Sequence, residues 1–236
     1  MTRLSSIPDG GIAVVVGAGG GIGGAAVDAL TASGRFKTVI GWSRQTPGGV
    51  DVTRPADVER AAHAAAAHGE IRLVLVATGA LSTNGARAER SLAEIDPDAM
   101  MTAFRINALG PMLVAKYLLP QFPRTGKSVF AVLSARVGSI GDNRLGGWYS
   151  YRASKAALNQ LMRTASIELA RRAPGAICLA LHPGTVDTAL SRPFSRSGLA
   201  VQSPDAGAEK LIAVIDRARA EDSGSFLDQN GLAIPW

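Results

Sequence analysis

The 236-residue chain contains one cysteine, six phenylalanines, three tyrosines and three tryptophans, and each scarcity excludes something. A single thiol cannot close a disulfide within the chain, so the disulfide-stapled scaffolds are ruled out. Cys178 lies inside the apolar run Ala176-Ile177-Cys178-Leu179-Ala180 and reads as a small buried hydrophobe, not a thiol nucleophile. Aromatics make up 5% of residues against 47% hydrophobic in total, so a core must be built from Ala, Val, Leu and Ile. Helices packed on parallel strands use that palette. No window approaches about 18 apolar residues free of charge or proline, which excludes a membrane-spanning helix, and residues 1–11 lack the basic-then-apolar order of a secretory leader. A soluble, cytoplasmic protein with no membrane partner is expected.

Acidic residues are the minority, 19 against 25 Lys and Arg, and the formal net charge is +6. The excess comes from scattered arginines such as Arg87, Arg105, Arg136, Arg163 and Arg192, not from a basic block. Without a helix-turn-helix, zinc or aromatic-stacking motif beside it, this charge argues against nucleic acid and suits a surface that attracts phosphorylated small molecules. No metal site is expected.

The apolar residues that are present come in an ordered rhythm. Short apolar runs at residues 12–16, 38–42, 73–77, 128–133 and 177–181 read as strands buried on both faces. Helical patterns at 21–33, 56–68, 97–119, 149–172 and 204–220 separate them. Such alternation implies right-handed crossovers and an α/β, Rossmann-type, doubly wound parallel sheet flanked by helices. Further short strands at 50–52 and 225–228 would bring the sheet to about seven, within one domain over residues 1–236. At this length roughly three quarters of the unfolded surface is buried on folding. Residues 190–203, rich in Pro, Ser, Arg and Gly, break the rhythm and suit a substrate lid.

The first strand runs straight into Gly17-Ala18-Gly19-Gly20-Gly21-Ile22-Gly23 and then a helix. There, glycines permit a tight turn and close approach of backbone to a pyrophosphate, while the helix N-terminus supplies positive potential. The second strand ends on Ser43-Arg44 with no acid to chelate a ribose 2′-hydroxyl, so a forked contact from Arg44 to a 2′-phosphate, and NADP(H) over NAD(H), is expected. In Tyr151-Arg152-Ala153-Ser154-Lys155, Tyr and Lys fall on one helical face. An ammonium beside a phenol, together with a nicotinamide's positive charge, makes the phenol a usable acid–base group.

Together, the Gly17-x-x-x-Gly21-x-Gly23 spacing and the Tyr151–Lys155 pair resemble the short-chain dehydrogenase/reductase family over nearly the whole chain. Gly138-Ser139-Ile140, the run from Gly146 to Asn159 and the closing Ile234-Pro235-Trp236 resemble its branch of C-factor and sniffer carbonyl reductases. The resemblance implies hydride transfer between NADP(H) and a carbonyl or alcohol, with Tyr151 as general acid/base and Lys155 assisting and binding ribose. It also implies that Asn107 holds a water in a proton relay, that Asp51-Val52 meets the adenine, and that Thr78-Gly79 serves the cofactor through its backbone. Pro183, Gly184 and Val186 would meet the nicotinamide carboxamide, with Thr185 or Thr188 near the diphosphate; His182 reads as structural. One departure stands out. The position of the family's carbonyl-orienting serine holds Ala135, which leaves Ser134, preferred here, or Ser139 to take its place. A dinucleotide-binding regulatory protein with little turnover is the rival reading. A homodimer or homotetramer is implied, paired through the long helix and the C-terminal Ile-Pro-Trp.

Overall fold

Successive side chains of a strand point to opposite faces of a sheet, and strand β1 (Ile12–Val16) shows the consequence. Ile12, Val14 and Val16 enter one hydrophobic layer, Ala13 and Val15 another. The same alternation runs through β3 (Ile71–Val76) from Leu73 onward, β4 (Ser128–Leu133) and β5 (Ala176–His182), so neither face of these strands meets water. Helices α2 (Pro55–Ala66), α4 (Gly110–Leu118) and α5 (Tyr149–Arg172) cover the first face. On the second lie α1 (Gly21–Ala32) and α6 (Pro204–Arg217). Cys178, at 0% exposure, packs in the first layer as a hydrophobe. The computed structural model describes residues 4–45, 48–83, 87–191 and 201–236.

With β2 (Thr38–Trp42) and β6 (Ser225–Asp228), the sheet has six parallel strands in the order β2-β1-β3-β4-β5-β6. The direction of winding reverses at β1, and ligands of such sheets bind beyond the carboxyl ends of the strands at that reversal. The segments after β1, β2, β3, β4 and β5 all emerge at this edge.

Two expectations are corrected in detail. Residues 50–52 do not form a seventh strand: beyond the end of β2, the Val50 amide donates to the Ser43 carbonyl at 2.9 Å, and the chain then turns at Val52 into α2. The helix expected over 97–119 is α3 (Pro97–Phe104), a π-helical turn (Arg105–Leu109) and α4 in succession. Pro111 has no amide hydrogen to return to the Asn107 carbonyl, and the Gly110 amide reaches five residues back to Arg105, so the ladder widens at Asn107. Of the expected lid, residues 192–200 lie outside those described; its far end is tied down by a bridge between Val186 and Gln202.

Candidate active site

The turn after β1 is shaped by contacts that leave no room for side chains. Gly17 has φ 90°, and a Cβ there would lie 3.0 Å from the Ala77 carbonyl carbon at the end of β3. A Cβ on Gly23 would overlap the Gly17 carbonyl oxygen, so β1 and α1 meet as closely as backbone allows. Helix α1 begins on Gly20 without a side-chain cap, which leaves the first-turn amides at Gly21, Ile22 and Gly23 with no side-chain acceptor. Thr188 closes this cradle from the other side: a Cβ on Gly21 would lie 2.9 Å from its methyl group. Thr188 is itself fixed by Ser191, whose hydroxyl accepts from the Thr188 amide at 3.1 Å and donates to the Val186 carbonyl. Pro183 and Gly184 are fixed through Gln202 and Gln229, with Gln202 Nε2 donating to the Pro183 carbonyl at 2.6 Å.

Further along the edge, Ser43 is buried and its hydroxyl accepts from the Gln45 amide at 3.2 Å, while Arg44 is exposed. Asp51 accepts from the amide and hydroxyl of Thr53 at 2.9 and 2.7 Å. These bonds, with the nearby Arg44 and Arg54 guanidinium groups, hold its carboxyl below the usual range. Val52 is buried against Gly110. Thr78 Oγ1 is buried with no hydrogen-bond partner among the described residues. A backbone cradle, an uncapped helix start and an orphaned hydroxyl at one sheet edge fit a pyrophosphate-containing dinucleotide.

The first turns of α5 carry Tyr151 and Lys155 to the same edge. Tyr151 and Lys155 are both buried, and Lys155 Nζ lies 5.8 Å from the Tyr151 ring centroid while donating to the Leu133 carbonyl at 2.8 Å. Burial disfavours either charged form, pushing the phenol up to about 12 and the ammonium down to about 8. Asn107, fully buried in the π turn, accepts from the Ala80 amide at 2.8 Å and donates to the Ala80 carbonyl at 2.8 Å and to Ser154 Oγ at 3.0 Å. Gly79 sits between these groups; a Cβ there would lie 3.5 Å from both Asn107 Oδ1 and Lys155 Nζ. Asn107, Gly79, Tyr151 and Lys155 therefore form one cluster, held by α5 and the π turn.

Both serines that could take the place of Ala135 already have a protein partner. Ser134 Oγ donates to Asn159 Oδ1 at 2.6 Å, and Ser139 Oγ accepts from the Asp142 amide at 3.0 Å. Ala135 itself packs beside Tyr151, in a small apolar cluster with Leu81, Ala88, Val137 and Trp148. His182 is held neutral: burial, reinforced by the Arg136 guanidinium, lowers its pKa to about 4, and its Nδ1 has no partner among the described residues. The described residues contain no group of three His, Cys, Asp or Glu side chains able to hold a metal, and no helix long and apolar enough to cross a membrane.

Residues 11–197 match the family model described as short chain dehydrogenase. The chain belongs to the short-chain dehydrogenase family. Within it, the chain is 37% identical to the C-signal protein of Myxococcus xanthus over 146 residues, covering 62% of this chain and 84% of that protein. It is also 32% identical over 189 residues to the 1-hydroxy-2-glutathionyl-2-methyl-3-butene dehydrogenase of Rhodococcus sp. (strain AD45), covering 80% and 79% of the two chains. Among solved structures, a short-chain dehydrogenase/reductase from Burkholderia multivorans with bound NADP superposes with a TM-score of 0.79 at 26% identity, over 96% of this chain and 99% of that one.

Three further residues beside this cluster carry little signal in the sequence. Ser154 and Asn159 are spaced on α5 so that one meets Asn107 and the other Ser134, which helical periodicity could have suggested. Glu89, a lone acid in an irregular segment, gave none, yet it is only 6% exposed beside the start of α5.

Proposed function

We propose that this dehydrogenase is an NADP(H)-dependent carbonyl reductase, in which Tyr151 exchanges a proton with the substrate oxygen. The observation that carries the reading is the buried cluster of Tyr151, Lys155 and Asn107 beside the glycine cradle. A bound NADPH supplies the hydride to the carbonyl carbon. Tyr151 Oη, kept protonated by burial, delivers the proton to the carbonyl oxygen, so that a ketone or aldehyde becomes an alcohol. Lys155, when protonated, stabilises the phenolate left behind and binds the cofactor ribose. The Asn107 carbonyl, released from the helical ladder by Pro111, offers an acceptor for a water that returns the proton.

Gly17, Gly21, Ile22, Gly23 and Thr188 would hold the diphosphate, Asp51 and Val52 the adenine, Thr78 and Gly79 the ribose side, and Pro183, Gly184 and Val186 the carboxamide. Arg44, with Ser43, would meet the 2′-phosphate, which favours NADP(H); the bound NADP of the Burkholderia relative supports the same choice. Ser134 orients the substrate only if its hydroxyl turns away from Asn159. The molecule works as a homodimer or homotetramer on a small-molecule carbonyl or alcohol.

Ala135 favours a second reading, a dinucleotide-binding regulatory protein with little turnover, and the C-signal relative is compatible with it by name. NADPH binding, followed by fluorescence, and NADPH consumption with a panel of aldehydes and diketones separate the two. Substrate-dependent consumption is expected; tight binding with no consumption across the panel overturns the reductase in favour of the regulator.

A further inference from the structure

Ahead of α5 the backbone makes three consecutive left-handed residues, Gly146 at φ 64°, Gly147 at φ 63° and Trp148 at φ 52°. Two glycines adopt this freely, whereas in Trp148 it crowds the Cβ against the following carbonyl. Trp148 is the sole non-glycine residue with positive φ among those described. Such a conformation persists only where the surroundings over-determine it.

The Arg152 side chain and the Glu89 backbone supply that constraint, and the Glu89 side chain holds the helix start that follows. Arg152 Nε donates to the Gly147 carbonyl at 2.9 Å and the Gly146 carbonyl at 3.2 Å, and its Nη1 donates to the Val137 carbonyl at 3.2 Å. The Glu89 backbone carbonyl accepts from the Trp148 amide at 2.5 Å. The Glu89 carboxylate accepts from the Ser150 amide at 3.3 Å and from the Ser150 hydroxyl. Trp148 provides no side-chain cap for α5, so Glu89, from a distant segment, caps the 24-residue helix and places negative charge at its positive end.

The location matters more than the capping. Val137 follows Ala135 on the segment leaving β4, Glu89 follows Gly79 on the segment leaving β3, and Tyr151 is the next residue after Ser150. The left-handed turn thus joins both walls of the reaction centre to the helix that carries the acid. It also sets Trp148 edge-on to Tyr151, with ring centroids 6.4 Å apart and planes at 71°.

We propose that Arg152, which holds the left-handed turn 146–148, and Glu89, whose carboxylate holds the helix start at Ser150, are positioning residues that together aim the Tyr151 hydroxyl and the Trp148 ring at the substrate carbonyl. This rests on Tyr151 being the proton donor. The test compares Glu89→Ala, Glu89→Gln and Arg152→Met with wild type in kcat, KM, NADPH affinity and amide hydrogen exchange of the segment 147–152 with NADPH bound. Misplacing a catalytic group by about 1 Å costs on the order of a hundredfold, so Glu89→Ala is expected to lose about that in kcat, with NADPH affinity kept and faster exchange confined to the turn. Glu89→Gln, which keeps an acceptor for the Ser150 amide, should recover to within about tenfold of wild type. Arg152→Met removes only the other arm and should show the same pattern should Glu89→Ala fail to fold. Wild-type kcat and KM in both Glu89→Ala and Arg152→Met, or unchanged exchange at 147–152, would overturn the clamp. A wild type that binds NADPH without consuming it would overturn the reductase reading instead, leaving unchanged exchange as the result that decides against the clamp.

Discussion

Lys155 Nζ stands 5.8 Å from the centre of the Tyr151 ring, and burial drives the two groups in opposite directions, the phenol up to about 12 and the ammonium down to about 8. Both shifts favour the uncharged forms. The free site therefore holds a neutral acid beside an amine whose proton is easily lost, and a bound cofactor's charges have most to change there.

That pairing predicts a pH-dependent stability. The folded-state pKa of Lys155 is about 8 against an ordinary 10.5, so between these values the unfolded chain binds more protons and stability rises with pH. The cost of burying the ammonium is fully present below pH 8 and gone above 10.5. The opposing contribution of Tyr151 begins only above its ordinary 10.0. Relative to Lys155→Met, the wild type should gain stability as the pH is raised from 8 to 10, read as the difference in urea midpoints; parallel midpoints in the two proteins would contradict the assignment.

Much of this arrangement is legible in the sequence. Short apolar runs mark the strands, and α5 begins and ends where its pattern does, because a helix covered on one face must repeat its apolar positions. The glycine turn and the Tyr151–Lys155 pair were equally visible, since each needs particular residue types at a fixed spacing. Other features depend on partners distant in sequence. The π turn at Asn107 follows from Pro111 four residues later, in a stretch whose apolar pattern alone reads as continuous helix. Glu89 acquires its role only when the fold brings Ser150 to it, and residues 50–52 have strand-like composition but turn away into α2.

Ala135 offers a gain-of-function prediction. Removing one oxyanion-type donor costs about a hundredfold or more in comparable enzymes, so adding one at Ala135 beside Tyr151 should raise kcat/KM by at least about tenfold. Ser134→Ala should act mainly on stability, by about 1–3 kcal/mol, because it strands Asn159 Oδ1. Steady-state kinetics and denaturation of both variants separate the roles: a large kcat loss in Ser134→Ala would mean that Ser134 turns from Asn159 to the substrate.

The exposed Arg44 should decide between the two nicotinamide cofactors. A charge-assisted contact to a 2′-phosphate is worth about 1.5–3 kcal/mol, so Arg44→Ala should weaken NADPH binding by about 10- to 100-fold and leave NADH binding nearly unchanged. Titration calorimetry with each cofactor measures the ratio. An equal loss for both would place Arg44 away from the 2′ position.

The most direct test of the central claim removes a single oxygen. Tyr151→Phe keeps the ring that packs with Leu81, Ala88 and Trp148 but cannot donate a proton. Measured beside wild type with the best substrate of the carbonyl panel, its kcat should fall by about 10²–10⁴-fold while the NADPH dissociation constant stays the same. Equal rates of NADPH consumption in the two proteins would contradict the assignment of Tyr151 as the acid.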